Sequence, residues 1–326
     1  MFLRSGRRWL TATGLHTARA AAPLLPVGLI DFAQWWMTRA GPTWPVLSGM
    51  VAANMRAAGL YDRLRFRAYF EQVALHLSNA LRIFRLARRP EAIADLARSQ
   101  VEVDVSVARI HEASKLGRGV VLAPAHVCNY VFTLARLNQE TPIRVYLRWS
   151  EDERKIEMKR TWCDVTGLQV ILEPASAADP TSRAAACVEA LREGATLVMT
   201  PDIAQKHDKG VPVRLLGREV YLPTGPASIA LLAEAPLVPV FGRLVRGRHV
   251  ICAEEPILIP PLSRAEGGRQ EAVRRAMQAW TDRFESFLRA CPEAWFLWAD
   301  SRWTRVFRGD RRYCRMSGEL SSESTS

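Results

Sequence analysis

The sequence predicts an α/β fold: a central, largely parallel sheet flanked by helices, preceded by an N-terminal helical region that associates with a membrane. Three observations carry this reading. From about residue 100 onward, short runs rich in Val, Ile and Leu alternate with helix-like segments, the pattern of a parallel sheet covered on both faces. Before residue 100 the apolar residues recur at helical spacing. The first 45 residues begin basic, then turn apolar and tryptophan-rich, as segments lying at a lipid interface do.

The N-terminal stretch "MFLRSGRRWLTATGLHTARAAAPLLPVGLIDFAQWWMTRAG" lacks the long apolar core and small-residue cleavage site of a signal peptide. A spanning helix needs about 20 apolar residues. The best run, Ala20 to Ile30, is shorter, contains Pro23 and Pro26, and ends at Asp31. It reads as a monotopic segment with Arg4, Arg7 and Arg8 on headgroups; a tilted, imperfect single span is the alternative. Tryptophan sits beside basic residues in "RRWL", "FAQWWMTRAGPTW", "LRWSEDERK" and "FLWADSRWTR". That pairing is an interfacial signature. For any single pair a core tryptophan with solvated neighbours is simpler, but for residues 32–44 the interface reading is preferred.

Residues 49–98 predict helices. In "RAYFEQVALHLSNALRIFRLARR" the residues Phe70, Val73, Leu77, Ala80, Leu81 and Phe84 form one apolar stripe. Arg85, Arg88 and Arg89 suit the end of that helix, and His76 within it reads as structural. Strands follow at "GVVLAPAH", "IRVYLR", "LQVILEP", "ATLVMTPD" and "APLVPVFGRL", with helices over 150–165, 181–193 and 224–234 between them. A helix over 268–290 carries Val273, Met277, Trp280, Phe284 and Phe287 on one stripe, and "WFLWADSRWTRVF" follows it. The domain reading is a membrane-associating segment at 1–45, one domain at 46–310, and a disordered tail at 311–326.

The 45 Lys+Arg against 33 Asp+Glu leave a net charge of +12, so the partner surface is anionic. Acidic lipid and nucleic acid both fit. No nucleic-acid-binding motif occurs and the basic residues are spread along the chain, which argues for no nucleic acid. Six scattered cysteines, Cys128, Cys163, Cys187, Cys252, Cys291 and Cys314, form no C-x-x-C. They give neither a zinc spacing nor a disulfide framework, and read as reduced thiols facing a cytosol.

In open parallel sheets the site lies at the carboxyl ends of the strands. His126, Arg148 and Asp202 each end or closely follow such a run, which groups them as one site. A histidine after a strand is by itself more often structural. No G-x-S-x-G elbow is present, and Cys128 reads better as a small buried hydrophobe than as a nucleophile.

The motifs, taken in order, resemble those of the bacterial lipid A late acyltransferases, within the lysophospholipid acyltransferase superfamily. "HVCNYV" supplies His126, Asn129 and Tyr130 at the family's spacing. "VYLRWSEDERKIEMKRTWCDVTGLQVI" resembles the family's strand-plus-Arg segment, with Arg148 near its arginine. "ALREGATLVMTPDIAQKHDKGVPVRLLGREVYLPTGPASIALLAEAPLVPVFGRL" matches its most recognisable stretch, with Pro201-Asp202, Gly210-Val211 and Thr224-Gly225. "CPEAWFLWADSRW" resembles its terminal motif, and the likeness runs from about residue 45 to 308.

The resemblance implies a glycerol-phosphate-acyltransferase-like fold, no cofactor, and a place on the cytoplasmic face of a bacterial inner membrane. It implies transfer of a fatty acyl chain, from acyl carrier protein or acyl-CoA, to a hydroxyl of a membrane glycolipid such as a lipid A precursor. His126 would be the general base. Arg148 or backbone N–H groups would bind the oxyanion. Lys209, Arg214, Arg218 and Arg243 would hold acceptor phosphates unless they are merely a solvated face, and Asn129 and Thr224 would join the substrate site. At the fifth position after the histidine, where the family carries an acid, this chain has Val131. Three readings follow: Asp202, or less plausibly Asp208, supplies the acid; His126 works alone at reduced rate; or the protein is a non-catalytic relative that binds lipid or a partner enzyme.

Overall fold

Helices form the first part of the described chain. A computed structural model describes residues 21–127, 129–147, 152–173, 180–245, 248–261, 263 and 267–316; Arg4, Arg7, Arg8, Cys128 and Arg148 lie outside these. Helix α1 (Val27–Ala40) starts after Pro26, and α2 (Pro45–Ala57) starts on Pro45. Proline suits a first helical turn because the N–H it lacks there would have no intrahelical partner. Helix α3 (Arg63–Arg85) is capped by Asp62, whose carboxylate accepts the N–H groups of Leu64 and Arg65 at 2.8 and 3.1 Å. Helix α4 (Pro90–Gln100) follows.

The α/β part then runs β1 (Val101–Val103), α5 (Ala108–Ser114), β2 (Val120–Pro124), α6 (Tyr130–Glu140), β3 (Ile143–Leu147), α7 (Glu153–Val165) and β4 (Gln169–Leu172). Next come α8 (Pro180–Arg192), β5 (Thr196–Val198), the hairpin β6 (Val211–Leu215) and β7 (Arg218–Leu222), α9 (Gly225–Ala233), β8 (Leu237–Val245) and β9 (Arg248–Ala253). Helix α10 (Gly268–Ala290), α11 (Ser301–Phe307) and β10 (Cys314–Met316) close the described chain.

The main sheet has seven strands in the order β1-β9-β8-β2-β5-β3-β4. Its one antiparallel pair is β8 with β9; the others are parallel. The predicted α/β architecture is therefore present. β2 sits in the middle and every residue of it is buried. Two apolar cores lie on its two faces: Val121 and Ala123 face one, Val120 and Leu122 the other. Alternation across a strand, with both faces covered, is why this run reads as continuously apolar.

The register of β2 depends on the residue before it. Gly119 has φ +62°, and a Cβ there would lie 2.6 Å from the carbonyl oxygens of Leu191 and Ala195. Only glycine tolerates both the left-handed backbone and that approach.

Several expectations need correction. On α3 Phe70 of the predicted stripe is buried and Val73 packs on the core, but Leu77 of that stripe is 38% exposed. The buried face also takes in Gln72, His76, Ser78 and Asn79, which an apolar count does not mark. The stripe of α10 is as predicted, with Val273, Met277, Trp280 and Phe284 buried. Strands β1, β9 and the β6–β7 hairpin were not foreseen. The first part of the tail predicted from residue 311 is structured: β10 pairs antiparallel with β7, Cys314 opposite Val220, and residues 317–326 lie outside the described residues. Its three residues are too short to show a strand pattern in sequence.

Trp295, Trp298 and Trp303 are buried in the core, whereas Trp35, Trp36 and Trp44 are exposed. Among the described residues no helix is long and apolar enough to cross a membrane.

Candidate active site

Strand β2 ends at Pro124, and its chain continues through Ala125 to His126 at the carboxyl edge of the sheet. Two backbone contacts hold this exit. Phe296 N–H donates to the His126 carbonyl at 2.9 Å, and Val127 bridges to Trp295. Further back, the Trp280 indole N–H donates to the Ala123 carbonyl at 2.8 Å. The aromatic segment after α10 thus clamps the loop that presents the histidine.

Asp202 reaches the same point from the loop after β5, all three residues of which pair directly with β2. Its Oδ1 lies 2.6 Å from His126 Nδ1, and its Oδ2 accepts the His126 backbone N–H at 2.7 Å. The Trp295 indole N–H donates to the same Oδ2 at 3.0 Å, and Trp303 donates to the Asp202 carbonyl at 2.9 Å. Asp202 is fully buried, yet its carboxylate has three donors. That satisfies a buried charge that would otherwise be costly.

A carboxylate is an acceptor, so Nδ1 carries the hydrogen and Nε2 keeps its lone pair. Burial alone would pull the His126 pKa down; the charge of Asp202 and the hydrogen bond to it outweigh this and leave the pKa above the ordinary histidine value. Burial pushes the Asp202 carboxyl up, but the His126 charge and hydrogen bonds win and hold it below its usual range. The pair is therefore an ion pair whenever the ring is protonated, with 22% of the imidazole side chain still open to solvent. Chemically, this is a base with a fixed tautomer.

The remaining expected residues separate into groups. Val131 lies in the first turn of α6, 5% exposed within the apolar cluster around Leu122 and Phe132. Asp208 is exposed in the turn before β6 and is not with His126. Thr224 is exposed just before α9; a Cβ on the neighbouring Gly225 would lie 3.3 Å from Met199, the residue after β5. The α9 N-terminus therefore sits at the same sheet edge as Asp202.

Lys209 is exposed at the near end of the hairpin. Arg214 and Arg218 flank its far turn, because Leu215 pairs with Arg218 and Val211 with Leu222. At about 3.3 Å per residue, Arg218 is about 13 Å along β7 from Leu222. Its Nη2 donates to the Ala57 carbonyl at 3.1 Å. The structure does not bring Arg214 and Arg218 to the His126 loop. Arg243 is exposed on β8 beside Gly242, whose added Cβ would lie 3.3 Å from Val127 of that loop.

Asn129 is 0% exposed, so it is not presented to a substrate in this conformation. It adopts a left-handed backbone, φ 62°, immediately before α6, and its Oδ1 accepts from Asn79 Nδ2 at 2.8 Å.

Sequence reasoning missed several participants. His76, expected to be only structural, stacks on Tyr130 with ring centroids 4.7 Å apart, and Tyr130 stands edge-on to His126 at 5.8 Å. Burial, with smaller pressure from His126, drives the His76 pKa down to about 4. Asp300 and Arg302 pair through two contacts of 3.2 and 3.1 Å, and both act electrostatically on His126. Trp295 and Trp303 were visible only as members of a terminal motif.

The chain matches the bacterial lipid A biosynthesis acyltransferase family over residues 70–305. That span contains the whole His126–Asp202 pair and most of the chain. The chain belongs to the lipid A biosynthesis acyltransferase family. No curated protein matches it. As an acyltransferase it needs an acyl donor and a lipid acceptor.

Proposed function

We propose that this acyltransferase moves a fatty acyl chain from an acyl thioester, acyl carrier protein being the expected carrier, to a hydroxyl of a membrane glycolipid such as a lipid A precursor. His126 acts as general base and Asp202 orients it. A hydroxyl is a poor nucleophile near neutral pH, so its proton must leave as it attacks. His126 Nε2 takes that proton while the hydroxyl oxygen bonds to the thioester carbonyl carbon. The carbonyl becomes an oxyanion, stabilised by Arg148 or by backbone N–H groups. As the C=O re-forms, the C–S bond breaks and the imidazolium returns the proton to the departing thiolate.

The single observation that carries this reading is the bond from His126 Nδ1 to buried Asp202. An acid partner is present although position 131 is valine, which favours the active reading over the non-catalytic one. Lys209 and Arg243, exposed cations on elements that adjoin the site, are the preferred phosphate contacts.

The enzyme is also proposed to lie monotopically on an anionic leaflet, the cytoplasmic face of the inner membrane. The outward face of α1 shows Leu29, Phe32, Trp35 and Trp36, and Arg39 sits 4.2 Å over the Trp35 ring. Aromatic rings at headgroup depth with a nearby cation suit such a surface.

The test is acyl transfer by membranes carrying wild type or His126→Ala, with labelled acyl carrier protein and a lipid extract as acceptor. Wild type is expected to acylate a glycolipid, and His126→Ala to lose at least about 100-fold of the rate. Wild type silent on every acceptor, or His126→Ala at full rate, overturns the proposal.

A further inference from the structure

Beside its exposed aromatic face α1 carries two polar residues, exposed Asp31 and half-buried Gln34, that lead to the histidine loop. Asp31 and Gln34 of α1 both accept from Arg82 Nη2, at 2.7 and 3.0 Å. Arg82 Nη1 donates to Asn79 Oδ1 at 2.6 Å, and Asn79 Nδ2 donates to Asn129 Oδ1 at 2.8 Å. The direction of this chain is fixed by its cation. Arg82 can only donate, so the Asn79 oxygen must face it, the Asn79 amide N–H must face Asn129, and the Asn129 oxygen must accept. Asn129 Nδ2 is then left buried with no partner among the described residues.

Asn129 is also the residue where the chain turns from the His126 loop into α6. Its φ of 62° is left-handed, a backbone state that asparagine adopts more readily than other non-glycine residues. Its carbonyl accepts the N–H groups of Phe132 and Thr133, at 3.1 and 3.0 Å, and so starts the helix. Tyr130, next in the chain, stands against both His126 and His76. The amide of Asn129 is thus tied to α1 and its backbone to the ring of His126.

We propose that Asp31, Arg82 and Asn79 are positioning residues that couple the seating of α1 on lipid to the pose of His126. This rests on the reading of His126 as base and of α1 as the lipid-facing helix, given under Proposed function. When α1 settles on a surface, Asp31 and Gln34 fix the Arg82 fork; Arg82 then orients both amides and holds the left-handed turn beside the base. None of these side chains needs to touch substrate.

The test uses full-length protein, in detergent and bound to vesicles containing anionic phospholipid, with two readouts. The first is the imidazole NMR signal of His126, assigned by its loss in His126→Ala. Vesicle binding is expected to shift it in wild type, and Asp31→Ala or Arg82→Gln to abolish that shift while Arg82→Lys keeps part of it. The second is turnover on vesicles. Arg82→Gln is expected to lower kcat about 5- to 150-fold, the usual range for coupled sites, with KM for the acyl thioester within about twofold. Asn79→Ala combined with Arg82→Gln should lose no more than the worse single variant, because one chain is broken either way. A His126 signal that moves on vesicles equally in Arg82→Gln and wild type overturns the coupling, even if acyl transfer is robust. A normal kcat in Arg82→Gln with only a lower melting temperature does the same. If the NMR coupling is present but no acceptor is acylated, the catalytic reading fails and the positioning chain stands.

Discussion

At the level of single residues, the proposed site has no need of an acid at position 131. Val131 faces an apolar cluster, and His126 Nδ1 already has its carboxylate in Asp202. Restoring an acid as Val131→Glu therefore places a carboxylate among Leu122, Phe132 and Leu134. The expected outcome is a loss of about 2–4 kcal/mol in unfolding stability with no gain in turnover, checked by chemical denaturation and acyl-transfer rate. The pairing of His126 with Asp202 was legible in outline, because each residue follows an apolar run that ends at the same edge of the sheet. The indole donors Trp295 and Trp303 were not, because their contacts join positions 93 and 101 residues away from Asp202. A local pattern carries no information about such pairing. Asn129 was legible as a motif residue, but its burial against α3 depends on a helix 50 residues earlier.

Among the elements, the strands with two buried faces were the most readable, since each is a short apolar run bounded by turn residues. β2, β3, β4, β5 and β8 fall where the Val/Ile/Leu runs predict, and α7 to α10 fall between or after them. β6 and β7 escaped notice because "VPVRLLGREVYL" mixes charge and proline with its apolar residues, and one side of the hairpin faces solvent. β1 and β9 lie on the strand-poor edge of the sheet and pair across some 150 residues. The face of α3 was read only in part because its buried side mixes core residues such as Phe70 and Ile83 with polar Gln72, His76 and Asn79. One element-level prediction concerns Gly119. Gly119→Ala must hold φ +62° and push a methyl group against two carbonyl oxygens 2.6 Å away. The expected destabilisation is about 2–4 kcal/mol, and His126, seven residues on and just past the far end of β2, should lose its placement, seen as a lower melting temperature together with reduced kcat. Unchanged stability would mean that β2 is held from elsewhere.

At the scale of the whole molecule, the protein carries +12 of net charge and exposes a tryptophan-rich helix, two features that make an anionic leaflet the natural surface for it. The interior sets the acid limit of its stability. Burial lowers both His76 and His249 from the ordinary value of 6.5 to about 4. Between these values the unfolded chain binds protons that the folded chain refuses, so stability rises with pH across that window and falls as pH drops through it. For His76 the full effect corresponds to about 3 kcal/mol. His76→Gln should reduce the pH slope of stability between about pH 4 and 6.5, the rest being left to His249, and an unaltered slope would show that folding does not lower the His76 pKa.

The most direct test of the account is the pH dependence of kcat for wild type and Asp202→Asn on vesicles. A base with a raised pKa is protonated, and idle, until pH climbs above the ordinary histidine range, so the wild-type rate should rise through a limb placed above 6.5. Without the carboxylate, burial dominates and the ring titrates lower. Asp202→Asn should therefore lose about 10³- to 10⁴-fold in kcat, as removal of the orienting acid does in the serine-protease triad, and its limb should move to lower pH. A variant with wild-type kcat and an unmoved limb would contradict the assignment of His126 and Asp202 as the working pair.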